Sequence, residues 1–430
     1  MIGALGLLLT LGGAPLAPAS LGLSLVPCPM SLSPTLPNAP TPQPGPTILL
    51  FPNPSAPNIT VQAIVSLGTL NSHEQALAQV IRDTILDATQ DFNKDDMRRY
   101  STLAGQPMRC TLSADHIRIR LDMPKGQLDI AGQLICDILE HPRFDPDTVQ
   151  KDLDAMPFRK RSYWSEALLP WQLDFKRIRQ DQLVAFVAKN FIPAATTITI
   201  SGPIGTLSDD PADYWPRISE YVQPKPSYTK DYSGPTPTLS KHDFPVTTAE
   251  LFGSQFGASD ASTPLNLLTA TALGVGKWSA MHRILREKLG ISYEQEAAVT
   301  PTPIGLRTRL IMVCAPSDKD PELCETMRNA LLDDVKTWNQ DILDRALGMA
   351  QAYLTFGAPA TPLFLDAGSP ISDSQDDQDF LKAYWHQKSG EDWDPNKLLA
   401  LMRQITLEDL KKDAEKMLTD AQTLLISGRR

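Results

Sequence analysis

The two halves of this chain close on the same pattern. "DQLVAFVAKNFIPAATTITISG" runs 181–202 and "EDLKKDAEKMLTDAQTLLISG" runs 408–428. Set on Leu183 and Leu410, each carries a lysine six residues on, Lys189 and Lys416. Each then ends its helical period and finishes in an apolar strand on Ser-Gly, and one residue of gap reconciles the two. Further back, "GQLDIAGQLICDILEHPRFDPDTV" (126–149) resembles "DPELCETMRNALLDDVKTWNQDIL" (320–343) as one helix followed by the start of another. A repeat on this scale restricts the chain to folds built from one unit used twice.

Inside the unit the periods are clear. "NITVQAIVSLG" (58–68) alternates Ile59, Val61, Ala63 and Val65, which predicts a strand with one buried face. "HIRIRLDMP" (116–124) places Ile117, Ile119 and Leu121 inward and Arg118 and Arg120 outward. "ALAQVIRDTILDAT" (76–89) has Ala78, Ile81, Ile85 and Ala88 at helical spacing, with Gln79, Arg82 and Asp83 at i, i+3 and i+4 on the polar face. In the helix of 126–144, Leu134, Ile135, Ile138 and Leu139 form a core stripe. The expected fold class is α+β: two tandem homologous domains, each a mostly antiparallel sheet with helices packed on one face, enclosing a cleft. The expected boundaries are 47–205 for the first domain and 246–430 for the second. A Pro-rich linker (206–245, "SDDPADYWP", "VQPKPSY", "SGPTPTL") divides them.

The first 46 residues read differently. "MIGALGLLLTLGGAPLAPAS" has an apolar stretch and an A-x-A arrangement at Ala17 and Ala19, as in a signal peptide over 1–19. The stretch is too short for a comfortable membrane span, and no Lys or Arg precedes it. A Pro-rich lead-in follows over 20–46, and Cys28 in "SLVPC" fits a lipidation box poorly because of Pro27. The expectation is an exported, periplasmic protein.

Composition removes some functions. The formal net charge is −10 and no basic run overrides it, so phosphate backbones are poor partners. The five cysteines form no CxxC pair, which excludes a structural zinc knuckle; buried thiols are expected, with one bridge left open. "LGVGKWS" (273–279) lacks Walker spacing, and Gly274 and Gly276 read as a turn beside a helix. "HEQAL" (73–77) starts like an upright H-E-x-x-H but has Leu77 at the second histidine position, so His73 reads as a capping or surface residue. Ser and His residues are too scattered for a triad.

Four segments taken together point to a family. They are "LLFPNPSAPNITVQAIVSLGT", "AGQLICDILEHPRFDPDTV", the "FVAKNFIPA" helix end with its apolar strand, and "GKWSAMHRILREKLGISYEQEA" (276–297). In that order, from about Thr47 onward, the chain resembles the insulinase–pitrilysin (M16) zinc peptidases, with a LuxS/M16 metallopeptidase-like fold, and in particular the bacterial two-domain members that pair two chains. The family motif is H-x-x-E-H on the first long helix: two imidazoles hold Zn²⁺ and the Glu activates water. On this sequence the motif falls on Gln79, Arg82 and Asp83, and all three zinc-site residues are replaced. A fixed guanidinium at Arg82 accepts no proton and repels a metal. The third ligand of the family should fall near "QKDLDAM", where Asp152 and Asp154 stand.

The resemblance also implies an Arg and a Tyr seven residues apart that contact substrate from the second half. "LREKLGISY" supplies Arg286 and Tyr293. A guanidinium and a phenol aimed at a peptide carbonyl stabilise the charge that grows there during attack by water. The reading is a catalytically silent, substrate-binding subunit of a heterodimeric zinc metallopeptidase. It has no metal or cofactor of its own, zinc being expected in a homologous partner, and an unfolded polypeptide is the expected substrate. The alternative is a structural M16-like scaffold subunit. An independently active peptidase would need a metal site the sequence does not contain.

Overall fold

The computed structural model describes residues 46–103, 106–155, 174–175, 178–205, 246–302, 305–356, 362–365 and 375–428. All of them belong to one compact unit, Gln43–Arg430. The expected signal peptide, the lead-in up to residue 45 and the linker at 206–245 lie outside the described residues.

Two sheets form the frame. The first holds β1 (Thr47–Pro52), β2 (Asn58–Ser66), β3 (Arg109–Leu112), β4 (His116–Pro124) and β5 (Thr196–Gly202) in the order β1-β5-β2-β4-β3. β1 runs parallel to β5, and the other pairs are antiparallel. The second holds β6 (Thr247–Phe256), β7 (Glu294–Thr302), β8 (Gly305–Cys314) and β9 (Gln422–Ile426) in the order β7-β8-β6-β9, all antiparallel. With β1 set aside, the orders coincide: β3-β4-β2-β5 and β7-β8-β6-β9. The chain is mixed α/β, and its antiparallel pairing matches the alternation in the sequence.

Each sheet buries one face under helices of its own half. On the first lie α1 (Ser72–Thr84), α3 (Leu128–Glu140), α4 (Pro146–Ala155) and α5 (Gln180–Asn190), with α2 (Lys94–Leu103) near β4. Val61, Ala63, Val65, Ile117, Ile119 and Leu121 meet Ala78, Ile81, Leu134, Ile135, Ile138 and Leu183 in one core. α1 starts where a capping box permits: Asn71 accepts from the Glu74 amide, and Glu74 returns a carboxylate to the Asn71 amide. On the second sheet lie α6 (Thr263–Gly274), α7 (Leu323–Lys336), α8 (Gln340–Phe356), α10 (Pro395–Met402) and α11 (Leu407–Asp420). Leu183 on α5 and Leu410 on α11, the residues on which the two similar endings are aligned, are both fully buried.

The other face of the first sheet departs from expectation. Alternation predicts Arg118 outward in solvent, but it is only 5% exposed. The reason is α9 (Gln375–Ser389), a helix of the second half that lies across β5 and β2. The Arg118 guanidinium stacks over the Phe380 ring at 4.1 Å, donates from Nε to Gln62 Oε1 at 2.7 Å and reaches Asp377 at 3.4 Å. Gln387 Nε2 donates to the carbonyls of Ile64 and Ala195. Buried Asp115 accepts from the Tyr384 hydroxyl at 2.9 Å and pairs with Lys388 Nζ at 2.6 Å and His116 Nδ1 at 2.7 Å. Burial opposes the Asp115 charge, but these neighbours outweigh it and hold its pKa below the usual carboxylate range. The halves interlock through α9, which comes from the second half and covers the first sheet.

A second buried pair repeats the first. On β2 and β4 the partners are Gln62 and Arg118; on β6 and β8 they are Glu250 and Arg309, at corresponding places in the strand order. Arg309 donates from Nε and a terminal nitrogen to Glu250 Oε2 at 3.0 and 2.8 Å, and both side chains are fully buried.

Gly274 and Gly276 do not share one job. Gly276 turns the chain at φ +79°, as a turn requires. Gly274 closes α6 against β7, where an added methyl group would sit 2.0 Å from the Ala297 amide nitrogen. Gly274→Ala is expected to cost about 1–3 kcal/mol by overpacking, read from urea unfolding.

Candidate functional site

The polar face of α1 is closed on itself. Arg82 donates from Nε to Asp83 Oδ1 at 2.8 Å and from a terminal nitrogen to Asp83 Oδ2 at 2.7 Å, a two-pronged pair that holds both carboxylate oxygens. Burial works against the Arg82 charge, but the Asp83 bonds and charge outweigh it, and Cys110 and Asp152 add to the same field. The result is a guanidinium pKa above its ordinary value. Gln79 is half-buried one turn earlier. Asp152 on α4 thus lies within electrostatic reach of Arg82, while Asp154 accepts from Gln150 and takes no part. His73 sits in the first turn of α1 with Nδ1 2.9 Å from the Asp174 carbonyl, a structural position.

This donor set does not fit zinc. A fixed cation stands among the donors, and the carboxylate that could ligate is already held by that cation. Among the described residues, no group of three or more His, Cys, Asp or Glu side chains could hold a metal ion. Cys314 and Cys324 are free, buried thiols.

Arg286 and Tyr293 are brought together by an irregular turn. His282–Lys288 is a π-helix, a form often found at functional sites. It ends at Leu289, and Gly290 at φ +63° reverses the chain. Arg286 then donates to the Tyr293 carbonyl, while the Tyr293 ring stands 61% exposed just before β7. The guanidinium therefore fixes the backbone at the head of β7, and the phenol projects outward.

Sequence reasoning missed what lies beside them. A cleft of about 240 Å³ is lined by Tyr293, Glu294, Gln295, Glu296, Ile311 and Val313. Glu294 pairs across the strands with Val313, and Glu296 with Ile311, so both carboxylates share a face with apolar neighbours. Burial first, and the Glu294 charge second, push the Glu296 carboxyl up to about 7. The signal was present as the alternating "EQE" at 294–296, and only the cleft gives it meaning.

Because the folded chain favours the neutral Glu296 acid, stability is highest below the carboxyl's ordinary pKa of 4.5 and declines as pH rises toward 7. Glu296→Gln removes that charging cost. It is expected to raise stability at pH 8 by about 1–3 kcal/mol and to change little below pH 4.5, measured by urea unfolding at both pH values.

No family model matches the chain, and no curated protein matches its sequence. Solved structures do share its fold. A peptidase M16 inactive domain from Pseudomonas fluorescens aligns with a TM-score of 0.65 at 15% identity, over 90% of this chain and 96% of that one. A protease from Helicobacter pylori aligns with a TM-score of 0.66 at 13% identity, over 90% and 97%. A conserved protein from Enterococcus faecalis V583 aligns at 0.59 and 10% identity, over 89% and 96%. The fold is M16-like. At these identities the likeness speaks for the fold alone.

Proposed function

We propose that this chain is the catalytically silent, substrate-binding subunit of a heterodimeric M16-type zinc metallopeptidase. The observation that carries the reading is the closed Arg82–Asp83 pair on α1, in an M16-like fold, where the family's zinc motif would stand. Zinc and the general base belong to a homologous partner. This chain brings no cofactor; it brings Arg286, Tyr293 and part of the enclosure around an unfolded polypeptide. Its halves are tandem copies of one domain, a reading supported by the matched strand orders and the matched Gln62–Arg118 and Glu250–Arg309 pairs. Export to a periplasm rests on the leader over 1–19. Among the described residues, no helix is long and apolar enough to cross a membrane.

An added strand is the natural way for such a subunit to hold varied peptides, since backbone bonds carry the affinity. The test is reconstitution. This chain alone should show neither turnover nor stoichiometric zinc. Mixed with a homologous chain that carries H-x-x-E-H, such as the product of an adjacent gene, it should yield peptidase activity greater than the sum of the parts. Zinc-dependent turnover by this chain alone would overturn the reading. A complex whose activity ignores Arg286 and Tyr293 would favour a structural scaffold subunit.

A further inference from the structure

Arg286 hangs on a turn whose register changes just before it. The Arg283 amide makes the ordinary four-residue bond to the Ser279 carbonyl at 3.0 Å, whereas the Leu289 amide reaches five residues back, to Ile284 at 2.9 Å. The Ile291 amide then reaches six back, to Leu285 at 2.9 Å, as the chain rounds Gly290. A five-residue bond closes a wider turn than a four-residue one. The π-segment His282–Lys288 therefore points Arg286 in a direction that an α-turn would not.

Such a turn is rare and needs a hold from outside. Two side chains supply it. Leu285 is fully buried in the core of the second half, which fixes the depth of the turn. Apolar burial has no direction of its own, so it leaves the rotation open. Arg283 fixes the rotation. Its terminal nitrogens donate to Asp334 Oδ1 at 3.1 Å and Oδ2 at 2.8 Å on α7, and its Nε donates to the Trp278 carbonyl at 2.9 Å. Asp334 is buried and also accepts from Trp338 Nε1 at 2.9 Å. A planar guanidinium bonded through three nitrogens has one orientation left. His282 and Glu287 also meet, at 3.5 Å, but Glu287 is largely exposed and the contact holds little. Among the described residues, the Arg286 guanidinium bonds only the Tyr293 carbonyl, so its direction comes from the turn that carries it.

We propose that Arg283 is the positioning residue of Arg286: by tying the π-turn to Asp334, it aims the Arg286 guanidinium at the head of β7. The inference rests on the substrate-binding reading above and adds the residue that places its charged donor. A donor that stabilises developing charge works through placement, and a misplacement of about 1 Å costs about 100-fold in rate. The Arg283–Asp334 pair suits placement more than stability. The Arg283 side chain is one-third exposed, so water screens its charge, while the two-pronged geometry keeps its direction. Lysine at 283 would keep the charge and lose the fork.

The test uses the full chain as Arg283→Lys, Arg286→Ala and the double variant. Hydrogen exchange of this chain alone, read by mass spectrometry, should be about 10-fold faster over 284–293 in Arg283→Lys, with α8 and the unfolding midpoint unchanged. In the mixture with an H-x-x-E-H partner, Arg283→Lys should lower kcat about 10-fold with KM little changed. In the Arg286→Ala background the same substitution should cost almost nothing further, because it acts through Arg286. Unchanged exchange over 284–293, or losses in kcat that add independently in the double variant, overturns the proposal. Faster exchange spread over the whole second half also overturns it, since Arg283 would then serve general stability. A mixture in which the wild-type chain gives no turnover overturns the subunit reading instead, and the exchange result then decides the role of Arg283 by itself.

Discussion

Replacing Arg309 by leucine is expected to lower the unfolding free energy by about 3–5 kcal/mol. The guanidinium and the Glu250 carboxylate are both fully buried and joined by bonds of 3.0 and 2.8 Å. Their mutual attraction offsets two desolvation costs, so the pair adds little net stability as a pair. Removing one member takes these bonds from the other, which stays charged and buried, and that is where the loss comes from. The double variant Glu250→Leu/Arg309→Leu should therefore recover most of the loss. Urea unfolding of wild type, both single variants and the double variant closes the cycle. A cost below about 1 kcal/mol for Arg309→Leu would mean that the Glu250 charge is balanced from elsewhere. The pair sits on β6 and β8, the strands that carry β7, so its loss should also loosen the cleft edge.

The second large effect belongs to the reconstituted complex. If this chain supplies transition-state stabilisation in trans, Arg286→Ala should reduce peptidase activity of the mixture about 100-fold, the scale of losing one charge-stabilising donor. Tyr293→Phe should cost less, about 10-fold, since it removes a neutral hydroxyl. Both residues are exposed, so neither change should shift the unfolding midpoint of this chain by itself. Steady-state kinetics on a quenched peptide, with thermal unfolding alongside, separates the two effects. Arg286→Ala that left activity intact would assign the Arg286–Tyr293 contact to local structure only, since the guanidinium already bonds the Tyr293 carbonyl.

These residues also show how far the sequence reaches. The periods of 58–68, 76–89 and 126–144 place Val61, Ile81 and Leu134 in the core, and the structure buries all three. Such faces are legible because they depend on spacing alone. The identity of Arg82 was equally legible: a fixed cation on the polar face of α1 is a statement about residue type, and it needs no coordinates.

What covers a face is decided elsewhere in the chain. Arg118 alternates with apolar residues and reads as solvated, yet α9 arrives from some 260 residues away and stacks Phe380 on it. That helix is rich in Asp, Gln and Lys, so nothing in its own pattern names the sheet it lands on. Glu294 and Glu296 are ordinary in sequence as well. They share a cleft only because β8 brings Ile311 and Val313 beside them, and burial there raises the Glu296 carboxyl to about 7. By itself, the sequence determined the strand and helix periods and the fixed cation on the polar face of α1. Tertiary structure alone decided the crossing of α9 onto the first sheet, the buried charge pairs and the cleft beside β7. The physical reason is that period and residue type are local properties, whereas burial, dielectric and strand neighbours are set by contacts far apart in the chain.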